Sequence, residues 1–507
     1  MFILNFWRNE MNLLYNNTGS IKNLKFFKYN MKIVYPLWDP FANELFYHIA
    51  KEVKRRGMEF EIVTESKVVE RYMRKRNVVI FNSKQCMNKV LKTENLLQEY
   101  ELIEKEYNVT AHDLTFSDPI ISKKPLEYKK KISVAYIKTW EYFFESSKPN
   151  LVLATDGCET FGISYATVAK KLGLNVIFTN GASVFPGKMC WDSAIWLADW
   201  VNRKYMKQEL TDAERMRVLE YVNHIRERKP IIGGRPKKPL SAHRIKKAIN
   251  YWWTCIIKER GGMRYHNPIT SLKWGIMPLL RQNLNKKFYS EPNFNEKYIF
   301  FPMHVPYDSQ MTLRVPHFVE QYKPIEMCAK YIPEGYVLYV KEHPHAKGSI
   351  PIKWLKRITS LPNVKLVPPD VNAHDLIINA RCIITINSDV GWEALIHGKP
   401  AVVLAKPFYS GFGVTFDVNC FKYSDVSKVE FDETCEEKLP KKIEEALEAK
   451  IDHEKVYKLV NAAMKSVYPC SFYNETFSEF NCDKDNVIKI VDSMLDYYKN
   501  WEIADDE

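Results

Sequence analysis

The sequence predicts an α/β protein of two parallel-sheet units, with a helical basic insertion between them and a helical C-terminal tail. Three observations carry this prediction. At 507 residues the chain is too long for one hydrophobic core. Apolar, β-rich runs alternate with amphipathic stretches over residues 31–200 and again over 291–430. Polar residues gather where those runs end, the edge at which open parallel sheets take their ligands. The expected division is a loose extension at 1–30, a first α/β domain at 31–200, an insertion at 201–290, a second α/β domain at 291–430 and a helical tail at 431–507.

The first domain opens at Met31 with KIVYPLWD, an apolar run ending in Asp39. ANELFYHIAKEVKRRG follows with helical spacing, basic residues in its last turn and Gly57 as a stop. MEFEIVT and NVVIFN (77–82) read as strands, Lys84 to Tyr107 as one long polar helical stretch, and Ser117-Asp118-Pro119 as a loop. A helix is expected over 126–146. NLVLATDG, the helix GISYATVAKKLG and NVIFTNG then place Asp156-Gly157 and Asn180-Gly181 at strand ends, before a loop ASVFPGKMCWD. Residues 1–30 are read as a loose extension, or Met31 as the functional start.

Residues 201–290 break the alternation. RERKPIIGGRPKKP reads as a loop and HRIKKAINYWWTCIIKERGG as an amphipathic helix carrying Trp252 and Trp253. Basic and aromatic residues interleaved in this way suit a membrane surface or a nucleic acid. Inward-packed tryptophans with lysines in water account for the pattern equally and are the preferred reading. The second domain starts at KYIFFPMHVPYDSQ, whose loop holds His304, Asp308, Ser309 and Gln310. From Gly335 to Lys406 the pattern is strand, helix, strand, helix, strand, helix, strand. A PFYSGFGVTFD loop, helices near 435–450 and 454–466, an aromatic loop and a helix to about Trp501 complete the chain.

Composition excludes little beyond disorder. Hydrophobic residues make up 46% and aromatics 13%, ample for packed cores. Lys+Arg of 74 against Asp+Glu of 61 gives +13, which favours anionic partners. The ten cysteines are scattered, with no CxxC pair and no metal-ligand spacing, as in a reduced compartment. The apolar start MFILNFW is interrupted by Arg8 and Glu10, far short of a membrane span. A cytoplasmic chain is expected, with peripheral contact to an anionic inner membrane face as its one membrane option and no specific nucleic acid.

Three clusters can carry chemistry. Pro344 ends the strand before Lys341-Glu342-His343 and holds His343 extended. Lys341 and His343 lie on one side of that strand and can aim a cation and a ring N–H at one anion, as a phosphate leaving group requires. Asn387-Ser388-Asp389 is a strand-to-helix junction: Ser388 or Asp389 caps the helix, and free backbone N–H groups there suit an anion. Asp389 would repel a phosphate, so capping is its expected part. Gly391 permits close approach, and Glu393 can accept from a ribose or simply serve as a first-turn acid. Asp156, with Glu159 three residues on, can deprotonate a hydroxyl or attack an anomeric carbon; an Asp turning the chain before Gly is the plainer alternative.

TDG in the first domain, KEHP after a strand of the second and a Ser at a later strand-to-helix junction resemble the three signature sites of bacterial sialyltransferases. FFPMHVPYDSQ, the strand into KEHPH, INSDVGWEALIHGKPAVVL and NGASVFPGKMCWD are similar to the capsule polysaccharide biosynthesis family, which contains Kdo transferases. The resemblance covers pieces of residues 150–410. It implies a GT-B-like architecture of two facing Rossmann-like domains and a glycosyltransferase that is metal-independent, with no resident cofactor and a CMP-sugar as donor substrate. It implies nucleotide-sugar contacts from Lys341, His343, Pro344, Asn387, Ser388, Gly391 and Glu393, and catalytic parts for Asp156, Glu159 and His343. Asn180, Gly181, Asp308 and Gln310 are candidates for the cleft that takes a glycan or glycolipid acceptor. The sequence departs from the sialyltransferase pattern in having Thr-Asp-Gly and an Asp after the Ser. A UDP- or GDP-sugar transferase or epimerase on the same fold, or a non-catalytic anion-binding protein, remain the alternatives.

Overall fold

The computed structural model describes residues 31–504 except 119, 156–158, 197, 228–248, 250–252, 254–267, 426–427 and 475–478. The expected loop at 226–239 and the helix at 243–262, with Trp252, fall almost wholly outside the described residues, as does the extension at 1–30.

The first sheet runs β1 (Lys32–Pro36), α1 (Asn43–Arg55), β2 (Glu59–Thr64), α2 (Lys67–Arg74), β3 (Val79–Asn82), α3 (Ser83–Val90), α4 (Leu96–Tyr107), α5 (Ala111–Thr115), α6 (Leu126–Ser147), β4 (Leu151–Thr155), α7 (Thr160–Lys171), β5 (Asn175–Gly181) and β6 (Met189–Asp192). Its strand order is β3-β2-β1-β4-β5-β6, parallel except for β6. The order reverses between β1 and β4. Three expectations are corrected here. The stretch 84–107 is two helices, because Asn95 adopts a left-handed conformation at φ 69° and starts α4 anew. A helix the sequence reading lacked, α2, follows β2, its start capped by the Ser66 hydroxyl, which accepts from Val69 N at 3.0 Å. MCWD is a strand: β6 pairs back on β5, with Gly181 opposite Met189.

After α8 (Asp212–Arg226) and α9 (Pro268–Asn285), the second sheet runs β7 (Tyr298–Pro302), α10 (Ser309–Thr312), α11 (Tyr322–Ala329), β8 (Val337–Lys341), α12 (Ile352–Thr359), β9 (Val364–Val367), α13 (Ala373–Asn379), β10 (Ile383–Thr385), α14 (Asp389–Ile396), β11 (Ala401–Val403) and β12 (Phe416–Asp417). Its order is β12-β11-β10-β7-β8-β9, all parallel, with the reversal between β7 and β10. A hairpin of β13 (Phe421–Asp425) and β14 (Lys428–Phe431), not foreseen in the sequence, follows.

The last three helices, α15 (Cys435–Glu448), α16 (His453–Lys465) and α17 (Lys484–Ala504), divide between the sheets. Leu439 and Ile443 of α15 join the core of the second sheet. Val456 and Val460 of α16 pack with α8 and with Trp392 and Leu395 of α14. The chain then returns: Tyr468 and Met189 exchange backbone hydrogen bonds, and Val487, Val491 and Met494 of α17 cover α1 and one face of the first sheet. The other face of that sheet is covered by α4, α6 and α7, around Trp140 and Tyr165. Both sheets are therefore sandwiched between helices, as parallel sheets require. Of the described cysteines, Cys190, Cys328, Cys382, Cys420, Cys435 and Cys470 are buried and outside any disulfide, small core residues.

Candidate functional site

The reversal points of the two sheets decide where ligands belong, since the connections leave in opposite directions there and open a crevice. At the second sheet the flanking strands are β7, followed by His304, and β10, followed by Asn387 and Ser388. Lys341 and His343 end the neighbouring strand β8.

Lys341 is 4% exposed. Among the described residues its ammonium has no hydrogen bond or ion pair; Asp370 and Glu342 act on it only through space, and burial pushes it down to about 8. Glu342 points the other way, as strand alternation demands. It accepts the Tyr289 hydroxyl at 2.7 Å and the Gly348 N–H, and burial lifts it to about 7.

His343 caps the short turn Pro344–Ala346, its Nδ1 accepting from His345 N at 3.2 Å. That bond leaves the proton on Nε2. Burial, then the charges of His345 and Lys341, push His343 down to about 4, so the ring is neutral at pH 7 and donates through Nε2. Pro344 occupies the first position of the turn, where a missing N–H costs nothing.

His304 is held by its backbone: its N–H donates to Gln321 Oε1 at 2.8 Å and its carbonyl accepts from Gln321 Nε2 at 3.1 Å. Its buried Nε2 has no hydrogen-bond partner among the described residues. Burial, then the nearby His343 and Arg314, push it down to about 3. Asn387 is likewise buried, its Nδ2 3.3 Å from Gln310 Oε1 and its Oδ1 without a partner among the described residues. Ser388 is the cap of α14, its hydroxyl accepting from Val390 N at 3.2 Å. A buried cation, two neutral imidazoles, a carboxamide and a helix N-terminus thus line one sheet edge.

Several expectations are corrected. Gly391 does not face a ligand: a Cβ there would lie 2.1 Å from the Tyr409 hydroxyl, so the space belongs to the loop after β11. Asp389 is not the cap but bonds to Ser183 of the first-domain loop, and burial raises its carboxyl. Gly181 sits within the β5–β6 ladder rather than at an open strand end. Asp308 is committed to α10, accepting from Met311 N at 3.1 Å. Gln310 accepts Arg314 Nη1 at 2.8 Å and so joins the second-domain edge. Glu393 lies 3.8 Å from His374, and burial, then Asp389, lift it to about 8.

Asp156 and Gly157 lie outside the described residues, and Asn180 is described by its backbone alone. Glu159 is buried just before α7, and its charge acts on Glu65 at the end of β2. Glu65 accepts the Tyr136 hydroxyl at 2.8 Å and is pushed up to about 7, first by burial and then by Asp118 and Glu159. No motif in the sequence marks Glu65 or Arg314. Arg314, 9% exposed, acts on His304 and Asp389 of the second domain and on Asp192 at the end of β6. Nothing in its local sequence marks it, because its surroundings come from three separate strands. Among the described residues no group of His, Cys, Asp and Glu is arranged to hold a metal ion, and no helix is long and apolar enough to cross a membrane.

Fold and site together define a two-sheet α/β protein with a buried lysine, two neutral imidazoles and a helix N-terminus at the reversal edge of its second sheet. Within that sheet, residues 280–430 match the family described as capsule polysaccharide biosynthesis protein, as the motifs in this span indicated. Protein FixF of Sinorhizobium fredii is 30% identical over 139 residues, 27% of this chain and 33% of FixF. The capsule polysaccharide export protein KpsS of Escherichia coli is 33% identical over 88 residues, 17% of this chain and 23% of KpsS. The chain thus spans a third or less of these relatives. A solved structure of the Thermosulfurimonas dismutans KpsC β-Kdo 2,7 transferase aligns with 64% of this chain and 90% of its own at 14% identity and a TM-score of 0.32.

Proposed function

We propose that the protein is a glycosyltransferase of surface polysaccharide biosynthesis, moving Kdo or a related ulosonic acid from a CMP-activated donor to a glycan or glycolipid acceptor. The observation that carries this reading is Lys341, a buried ammonium without an ion pair among the described residues, on the sheet edge it shares with neutral His343, His304 and, across β7, the N-terminus of α14. A buried lone cation is costly unless a ligand supplies the counter-charge. The donor phosphate fits that requirement.

In this reading the bond from the anomeric carbon to the phosphate oxygen breaks and CMP leaves with the electron pair. Lys341, the His343 Nε2–H and the α14 N–H groups stabilise the charge that builds on the phosphate. The acceptor hydroxyl bonds to the anomeric carbon and yields its proton to a first-domain carboxylate, Asp156 or Glu159. These donors do the work that a divalent metal performs elsewhere, so transfer persists in EDTA.

Thermal shift with CMP and UMP, followed by a donor screen read by mass spectrometry, tests the assignment. Stabilisation by CMP, transfer from CMP-Kdo and its loss in His343→Ala support it. A response to UMP alone moves the chain to the UDP-sugar enzymes. No nucleotide response, with tight binding to anionic liposomes or RNA, makes it a non-catalytic binder. Unchanged transfer by His343→Ala removes the leaving-group role.

A further inference from the structure

The first domain carries a second feature that the reaction above does not use. A groove of about 470 Å³ runs between α2 and α3, lined by Lys67, Arg71, Arg74, Lys75 and Lys84 against one acid, Glu70. Glu70 is already satisfied by Arg74 at 2.9 Å and by the Asn82 carboxamide. Lys67, Arg71 and Lys75 recur every four residues, so they form one stripe along α2, about 6 Å apart by the helical rise. The opposite wall supplies the amides of Gln85 and Asn88.

The groove reaches the carboxyl edge of the first sheet at its outermost strand, β3. Asn82, one of its lining residues, is the last residue of β3. Lys84, in its wall, acts on Glu65 at the end of the adjacent strand β2. A polymer whose end lay at that edge would leave the cleft along this groove.

We propose that the α2–α3 groove binds an acidic glycan, the growing acceptor chain, by pairing its carboxylates or phosphates with the α2 cation stripe and its hydroxyls with the amides opposite. The spacing of the stripe is close to the length of one pyranose ring. The lining separates this ligand from other polyanions. All nine lining residues are polar, so there is no aromatic face on which a base would stack and no apolar side chain to enter a bilayer. The inference rests on the first domain being the acceptor side.

The test is equilibrium binding of the full chain to polygalacturonate oligomers, with dextran as the neutral control, and the same for Arg71→Ala/Lys75→Ala. Both residues are exposed, so the variant keeps its fold, which its melting temperature checks. The expected result is salt-sensitive binding to polygalacturonate, none to dextran, and affinity lowered roughly tenfold in the double variant, about 1.4 kcal/mol. Thermal stabilisation by CMP, read on the same variant, stays unchanged, so a failed groove and a failed donor site give different results. Equal affinity in the variant, or binding by vesicles containing phosphatidylglycerol or by poly(U) in place of polygalacturonate, overturns the proposal. So does the absence of polygalacturonate binding by the unaltered chain.

Discussion

Glu393 Oε2 lies 3.8 Å from His374 Nε2, and His374 Nδ1 faces His397 Nε2 at 3.2 Å. One acid on α14 is thus linked through α13 to the end of its own helix. Burial, then the charge of Asp389, hold Glu393 at about 8 against 4.5 for a free side chain. The fold binds that proton more tightly than the unfolded chain, so stability falls as pH rises from about 4.5 to about 8. In Glu393→Gln this share of the pH dependence disappears, which urea midpoints at pH 5.5 and 8.5 will show.

Lys341 carries the opposite sign. Its folded value of about 8 lies below the ordinary 10.5, so the unfolded chain holds more protons between these values and stability rises with pH across that window. Lys341→Met removes a buried charge and keeps the aliphatic stem. The variant is expected to be more stable than the parent at pH 7, by about 1–2 kcal/mol, while its affinity for CMP falls at least about tenfold. Denaturant unfolding and CMP titration on one preparation check both halves. A variant that loses stability and keeps CMP binding would contradict the anion-site assignment.

Gly391 is fixed by Tyr409, whose hydroxyl donates to the Ser388 carbonyl and occupies the space a Cβ would need. Gly391→Ala should cost about 1–3 kcal/mol through overpacking. Adding Tyr409→Phe removes the nearest atom, so the pair should show a favourable coupling of about 1 kcal/mol in a double-mutant cycle. Additive losses would mean that α14 shifts as a body.

Tyr221 joins three elements. Its hydroxyl donates to the Val184 carbonyl at 2.9 Å and accepts Trp392 Nε1 at 3.0 Å, so the loop after β5, α8 and α14 meet at one atom. Tyr221→Phe leaves a buried carbonyl and a buried indole N–H unsatisfied and should lower stability by about 1–3 kcal/mol. Guanidinium unfolding measures it.

The sequence discloses most of the second sheet because its short apolar strands and the helices between them are closed by Pro, Gly or a capping residue, as at Pro344, Gly398 and Ser388. The same local chemistry exposes Lys341 and His343, which share one strand end. Other features are settled by tertiary contacts and were not legible. Asn95 in a left-handed conformation splits a helical stretch that propensity alone would keep whole. MCWD becomes a strand only because β5 offers it an edge. Gly391 reads as a ligand-facing glycine until Tyr409, eighteen residues on, is found against it. Arg314 and Glu65 acquire their surroundings from elements distant in sequence, so no spacing rule finds them.

The return of the chain to its first sheet orders events during synthesis. Arg56 pairs with Asp492 at 2.7 Å, and Trp191 donates to Ser493 at 3.1 Å, yet α17 is made long after the strands it covers. At roughly 5–20 residues per second, the about 290 residues between β6 and α17 take about 15–60 s to translate. Throughout that interval Ile49, Val53 and Met189 lack the cover that Val491 and Met494 later provide. The nascent first domain is therefore expected to display an apolar face on the ribosome until α17 docks, the kind of surface that chaperones cover.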